Sequence, residues 1–246
     1  MTKPCAGSMR FHLAADISSG HPTTFSPIRR RKTWLPFMRR RNAIPLVGGG
    51  NLMKKYLFGA DLGTGGVKAV LLDPETGETV GSDLFEYEMK HPHPLWAEQD
   101  PEDWWAMFCA ASRQVLARAG ECEIIAAALS SQGCATVCVG ADGRAIGNAF
   151  TWMDGRTGEE AAWLRDHFAE EIAQVNANEI STLLSTPNFL WLKKHDKPRF
   201  DRSSGFCGVM SYVGLRLTGR FAVPPSEATF CHLYDYKTHQ YSRKLC

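Results

Sequence analysis

Residues 56–73 limit this chain to a small set of folds. An apolar run ends in the carboxylate of Asp61, a short turn rich in glycine follows, and a second apolar run begins at Val67. This pattern predicts two strands joined by a tight turn, with Asp61 where the first strand meets the turn. The common Walker and dinucleotide-binding loops are excluded, because both open a helix and the residues after this turn favour a strand.

The turn carries groups that suit an anion and a divalent cation. Its residues are Gly63, Thr64, Gly65 and Gly66, and Lys68 follows shortly. Glycine takes positive φ without steric cost, so the backbone N–H groups are expected to form a concave anion site, to which the Thr64 hydroxyl and the Lys68 ammonium add. Asp61 cannot bind phosphate itself, but it can hold a divalent cation through water. The alternative is an ordinary hairpin turn that happens to carry these residues.

The first 52 residues differ in composition from the rest of the chain. They hold nine Lys or Arg and one acidic residue, Asp16, for a net charge of +8, whereas residues 53–246 carry −6. Arginine runs, prolines and the lack of a sustained period predict a disordered basic leader. This segment has three interpretations. It is an organelle transit peptide, a nucleic-acid-binding arm, or a mis-assigned start upstream of a true initiator at Met53. We favour the third and expect no nucleic-acid partner.

Cysteine usage and hydropathy predict a cytoplasmic protein. The eight cysteines are scattered without a Cys-x-x-Cys pair, which favours reduced thiols over a disulfide framework or a zinc site. No run of about 18 apolar residues occurs, so neither a membrane span nor a membrane partner is expected. The sequence does not set the oligomeric state, and a homodimer stays open.

Strand and helix patterns alternate after the turn, which is typical of an α/β fold. Residues 78–88 predict a third strand of an antiparallel meander. Asp100 and Pro101 predict the start of a helix that Gly120 ends. A strand of the buried type is predicted over residues 124–129.

Two predicted strands end in polar residues just before the chain reverses, where α/β sheets bind ligands. The first set is Gln132, Gly133 and Cys134, and the second is Trp152, Asp154 and Arg156. Asp154 and Arg156 have a structural alternative, which is an ion pair with no ligand. A capping box formed by Thr157 and Glu160 predicts the next helix, and Pro187 begins another.

Four motifs in this order resemble the FGGY family of carbohydrate kinases, its xylulokinases most of all. They are GADLGTGGVK at 59–68, PLWAEQDP at 94–101, WMDGR at 152–156 and LTG at 217–219. The resemblance covers about residues 55–246. It implies the actin-like ATPase fold of two ribonuclease-H-like domains, with residues 53–246 as the first domain, incomplete at its C-terminal end.

The resemblance also implies a reaction and its participants. The γ-phosphoryl group of ATP would pass to a hydroxyl of an open-chain ketose such as xylulose, with Mg²⁺ as the metal. The implied partners are the small-molecule sugar and the second kinase domain, which this chain lacks. Asp61 would position Mg²⁺ and phosphate through water. The phosphate-binding residues would be Gly63, Thr64, Gly65, Gly66 and Lys68, and the sugar-binding residues Gln132, Gly133, Cys134, Trp152, Asp154 and Arg156.

Two departures of this sequence from the family pattern bear directly on its function. Gly133 and Cys134 stand where xylulokinases usually carry Met-His, which leaves the identity of the sugar open. The Gly-Gly-Asp-Asn-like segment that supplies the catalytic base in the family is absent from the sequence, so we expect this chain to be inactive alone. The alternative is a non-catalytic actin-like module that binds a sugar or a partner protein.

Overall fold

The computed structural model of this chain describes residues 53–246. The predicted basic leader, residues 1–52, lies outside the described residues. β1 (Lys54–Leu62) and β2 (Gly66–Leu72) pair antiparallel through the glycine turn. The strand-turn-strand prediction is therefore confirmed, and alternate side chains of both strands are buried on one face of the sheet, as the strand period of two requires.

The predicted third strand over residues 78–88 is broken into two short strands. β3 (Thr79–Gly81) and β4 (Phe85–Glu86) both pair antiparallel with β2. Between them the Ser82 hydroxyl accepts a hydrogen bond from the backbone N–H of Ala69 at 2.7 Å, because a serine side chain can replace a backbone acceptor. The prediction of one continuous strand is therefore wrong, although the antiparallel pairing with β2 is retained.

β6 (Cys122–Ser131) pairs in parallel with β1 and completes the strand order β3-β2-β1-β6. Within the described part of the chain it is an edge strand. The prediction of a buried strand over residues 124–129 is therefore wrong, and Ile125 is 48 % exposed. An apolar run indicates that a strand can be covered, but it does not reveal which other segment covers it.

The helix α1 (Pro101–Ala119) packs across one face of this sheet. Asp100 caps its first turn by accepting a hydrogen bond from the Glu102 N–H at 2.9 Å, and Gly120 ends it with a φ of 73°. Both ends are as predicted from the sequence. Trp104 on its inner face is fully buried in the central core with side chains of β1 and β2.

The remaining elements follow or interrupt this core. The helices are α2 (Gly158–Val175), α3 (Ser185–His195), α4 (Lys197–Arg202), α5 (Val209–Thr218) and α6 (Pro225–Ala228). The strand pairs are β5 (Glu98–Gln99) with β8 (Ala149–Phe150), β7 (Val137–Val139) with β9 (Gly205–Cys207), and β10 (Tyr234–Asp235) with β11 (Gln240–Tyr241). None of the helices within residues 53–246 is long and apolar enough to cross a membrane.

The capping box predicted at the start of α2 does not form. Thr157 is the N-cap residue, but its hydroxyl makes no cap hydrogen bond and lies 3.4 Å from Asn188 Oδ1. The buried carboxylate of Glu160 lies 3.5 Å from both Lys194 Nζ and His195 Nε2 of α3. The packing of α2 against α3 therefore uses the two side chains that the local motif would need.

The buried imidazole of His232 makes stability depend on pH. Burial lowers its pKa, and a contact of Nε2 with the Glu179 carbonyl at 3.3 Å opposes this only in part. In the unfolded chain the imidazole titrates near about pH 6.5, so below that pH the unfolded state binds more protons than the folded state. The stability contributed by neutral His232 is thus fully present above the unfolded pKa and is lost as the pH falls toward the lower folded pKa.

We expect this group to lower the free energy of unfolding by up to about 1.4 kcal/mol for each pH unit below about 6.5. Urea titrations at several pH values between roughly 7.5 and 5.5 measure the slope. His232→Gln removes the titrating ring and should flatten the slope. An unchanged slope in His232→Gln would contradict the assignment.

Candidate functional site

The glycine turn forms, but not in the conformation predicted from its composition. None of Gly63, Gly65 and Gly66 has a positive φ, so the expected concave arrangement of left-handed glycines is not adopted. Glycine is required at position 66 for a steric reason instead, because a Cβ there would lie 2.6 Å from the Phe85 carbonyl oxygen. A Cβ at Gly65 would meet nothing within 4 Å, so the tip of the turn is open.

Gly66→Ala should therefore destabilise the protein, by about 1–3 kcal/mol. The new methyl group would also lie 3.0 Å from the Glu86 Cα, and since both contacts are with backbone atoms, β4 has to move. Gly65→Ala is the matched control, with an expected change within about 0.5 kcal/mol. Urea unfolding of the two variants measures the difference, and equal losses at both positions would refute the steric explanation.

Asp61 and Lys68 face each other across the two strands that flank the turn. They are direct partners in the register of β1 and β2, and both side chains are exposed. Beside them the Tyr87 hydroxyl donates hydrogen bonds to the carbonyls of Gly63 and Gly66. Burial, and secondarily the negative charge of Asp61, raise the pKa of Tyr87. An exposed carboxylate next to an open turn suits a hydrated divalent cation, and Lys68 adds a positive charge for phosphate.

Thr64 at the tip of the turn is bonded to residues from two other parts of the chain, and a third part is joined to it through Gln99. Its hydroxyl accepts a hydrogen bond from Trp152 Nε1 at 3.0 Å, and its carbonyl accepts one from Gln99 Nε2 at 2.8 Å. Gln99 Oε1 in turn accepts from Gln132 Nε2 at 2.7 Å and from Trp104 Nε1 at 3.1 Å. The structure thus brings together three of the predicted site residues, one from the turn and one from each polar strand end.

Gly133 and Cys134 follow Gln132 and lie beside an aromatic ring. A Cβ at Gly133 would come 3.0 Å from Phe230 Cζ, and Cys134 has a left-handed φ of 56°. Burial raises the pKa of the Cys134 thiol. Phe230 therefore closes this side of the polar strand end, and it comes from a segment about a hundred residues further along the chain.

Asp154 and Arg156 follow Trp152 by two and four residues in the sequence, and they lie in a buried ion cluster. Arg156 donates to Asp154 through Nε at 2.9 Å and through Nη2 at 2.6 Å, and Nη2 also contacts Glu98 Oε1 at 2.6 Å. Its guanidinium carbon lies 3.5 Å from the centre of the Trp96 ring and 4.0 Å from that of Phe150. This arrangement favours the structural alternative, and a role of the two residues in binding sugar stays a prediction.

Sequence reasoning missed Gln99, Tyr87 and Phe230. Gln99 stands inside the PLWAEQDP motif, directly before the helix cap Asp100, so a polar side chain at the end of a strand was the available signal. Tyr87 belongs to the predicted third strand and has no separate signal. Phe230 reaches the site only through the tertiary fold, and no local pattern marks it.

The fold is shared with solved structures of sugar kinases. Xylulose kinase from Rhodospirillum rubrum matches with a TM-score of 0.70 over 76 % of this chain and 38 % of its own, at 24 % identity. Gluconate kinase from Lactobacillus acidophilus matches with a TM-score of 0.73 over 78 % of this chain and 39 % of its own, also at 24 % identity. The class of protein is therefore an α/β domain of the actin-like ATPase fold, as expected from the sequence.

Sequence comparison then identifies the family. The model of the N-terminal domain of the FGGY family of carbohydrate kinases matches residues 56–246, and the chain belongs to this family. Xylulose kinase from Klebsiella pneumoniae is 30 % identical over 188 residues, and that from Escherichia coli K12 is 31 % identical over 171 residues. These alignments cover 76 % and 70 % of this chain but only 38 % and 35 % of the two relatives.

Proposed function

We propose that residues 53–246 form the phosphate- and sugar-facing part of a kinase that transfers the γ-phosphoryl group of ATP to a hydroxyl of a ketose such as xylulose. The observation that carries the proposal is the hydrogen-bonded group around Thr64. It joins the tip of the glycine turn to Gln132 and Trp152, so that a phosphate on the turn and a sugar at the strand ends would lie next to each other. Phosphoryl transfer depends mainly on such positioning.

The residues of the turn fit the two groups that this reaction needs. Asp61 would hold Mg²⁺ through water, and Mg²⁺ would neutralise negative charge on the transferred phosphoryl group. Lys68 supplies positive charge for the phosphate, and the open tip at Gly65 leaves room for it. The Trp152 side chain, from a residue 42 % exposed, offers an apolar face on which the carbon chain of a sugar can pack.

The second candidate is a module that binds a ketose without transferring phosphate. It is favoured by the side chains that bond around Thr64, because the amides of Gln99 and Gln132 and the indole of Trp152 can bind a hydroxyl but cannot take its proton. The two candidates share the sugar site and differ in whether ADP is released.

Calorimetric titration of the full chain with D-xylulose, glycerol and gluconate tests the proposal. We expect the ketose to bind most tightly, Trp152→Ala to weaken it about tenfold or more, and Cys134→Trp to abolish it while the fold is kept. Trp163→Ala, at an exposed tryptophan on α2, is the matched control and should bind as the wild type does. Equal affinities in all three variants would move the sugar site elsewhere.

An ADP-release assay on the same samples separates the two candidates. ADP release that depends on both Mg²⁺ and ketose supports the kinase. Ketose binding without ADP release supports the binding module.

A further inference from the structure

We propose that Gln99 is a positioning residue that holds the glycine turn and the side-chain amide of Gln132 in one fixed arrangement. The inference rests on the proposed function, because it assigns to Gln99 the coupling of the two halves of that site. Gln99 is fully buried, so it does not touch a ligand itself. Its side-chain amide bonds both to the Thr64 carbonyl and to the Gln132 side chain.

The direction of the Gln99 amide follows from the chemistry of its neighbours. The Trp104 indole N–H can only donate, and the Thr64 carbonyl can only accept. Gln99 Oε1 must therefore face Trp104, at 3.1 Å, and Nε2 must face Thr64, at 2.8 Å. A reversed amide would set two donors against each other on one side and two acceptors on the other.

This direction then fixes Gln132. Since the oxygen of Gln99 is presented, Gln132 has to turn its Nε2 toward it, at 2.7 Å. Gln132 Oε1 is left buried without a hydrogen-bond donor among residues 53–246. A buried acceptor of this kind is stabilised by any hydroxyl that reaches it, which matches the donor that a sugar carries. The sequence of contacts from Trp104 to Gln99 to Gln132 thus leaves an acceptor, rather than a donor, for a hydroxyl on the sugar side.

The same amide holds the turn. Thr64 accepts a hydrogen bond from Gln99 through its carbonyl and one from Trp152 through its hydroxyl. A substitution at Gln99 should therefore change the environment of the Trp152 indole, although the two side chains share no hydrogen bond. The Trp152 indole N–H signal is therefore a reporter of positioning that needs no ligand and no turnover.

The test compares two variants of the full chain. Gln99→Glu keeps two acceptors for Trp104 and Gln132 but loses the donor to Thr64, and Gln99→Met removes all three hydrogen bonds at similar volume. Gln114→Met is the matched control, because among residues 53–246 the Gln114 side-chain amide bonds to Asp83 and not to Thr64, Gln132 or Trp104. In ¹H–¹⁵N spectra of ligand-free protein, both Gln99 variants should shift or broaden the Trp152 indole signal, and Gln114→Met should not. The Trp163 signal should stay in place throughout, which shows that each variant is folded.

D-Xylulose titrations add the functional side of the same experiment. We expect both Gln99→Met and Gln132→Met to weaken binding about tenfold, and the double variant to bind no more weakly than the weaker single variant, because the residues act as one unit. Losses that multiply in the double variant would overturn the coupling, and so would an unshifted Trp152 signal in both Gln99 variants. Wild-type protein that binds no sugar would defeat the proposed function instead, and the Trp152 signal would still decide the role of Gln99.

Discussion

Replacing Arg156 with methionine is expected to lower the free energy of unfolding by about 3–5 kcal/mol. Its side chain is 2 % exposed and lies within 2.6 Å of carboxylate oxygens on both Asp154 and Glu98. Removing the guanidinium would leave two buried carboxylates close together without a cation. The variant would also lose the stacking of the guanidinium on the rings of Trp96 and Phe150, which adds to the cost.

Urea unfolding followed by circular dichroism measures this loss. Arg144→Met is the matched control, because the ion pair of Arg144 with Glu102 is also close, at 3.0 Å, but is exposed on both sides. An exposed pair of this kind contributes about 1 kcal/mol or less. Arg156→Lys should fall between the two, since lysine keeps the charge but not the planar fork. A loss at Arg156→Met no larger than that at Arg144→Met would refute the structural role.

The same variants decide between the two interpretations of this ion pair. A protein with Arg156→Lys that remains folded and binds D-xylulose as tightly as the wild type assigns Arg156 to structure alone. A folded variant whose sugar affinity drops sharply would support the role that the family resemblance implied.

Local parts of the fold could be predicted because their causes are local. The hairpin at Asp61 follows from two apolar runs and a glycine turn, and the start of α1 follows from Asp100 and Pro101. Each of these signals depends on a backbone preference or on a side chain bonding to its own turn. Contacts with distant segments do not change them.

Features set by contacts between distant residues could not be predicted. Ser82 breaks the third strand because its hydroxyl replaces a backbone acceptor for Ala69, and nothing in an alternating pattern marks that choice. Gly66 is required by the Phe85 carbonyl rather than by its own φ. The capping box at Thr157 is lost because α3 lies against α2, so a local motif of modest energy yields to packing.

The candidate site shows the same division. Asp61, Thr64 and Gln132 could be selected because they are polar residues at strand ends and in turns, and Trp152 because its motif resembles that of the FGGY family. Gln99, which holds the last three in one network, is separated from Thr64 by 35 residues and from Gln132 by 33. Its role depends on the direction of one amide, and that direction is set by the tertiary positions of Trp104 and the Thr64 carbonyl.

Trp104→Ala is the second substitution with a large expected effect, a loss of about 3–5 kcal/mol in the free energy of unfolding. Trp104 is fully buried between α1 and the sheet, and alanine would leave a cavity lined by residues that are fixed in strands. Trp163→Ala, at a tryptophan 37 % exposed on α2, should cost much less. Thermal and urea unfolding of both variants compare the two, and similar losses would mean that burial at Trp104 is not what stabilises the core.

Trp104→Phe separates the packing of this residue from its hydrogen bond. Phenylalanine keeps a buried ring but has no N–H to donate to Gln99 Oε1. Because Gln99 Oε1 still accepts from Gln132, the acceptor stays satisfied, and the expected cost is only about 1–2 kcal/mol. If packing alone matters, Trp104→Phe should leave the Trp152 indole signal in place. If the indole N–H sets the direction of the Gln99 amide, that signal should shift even though most of the stability is kept.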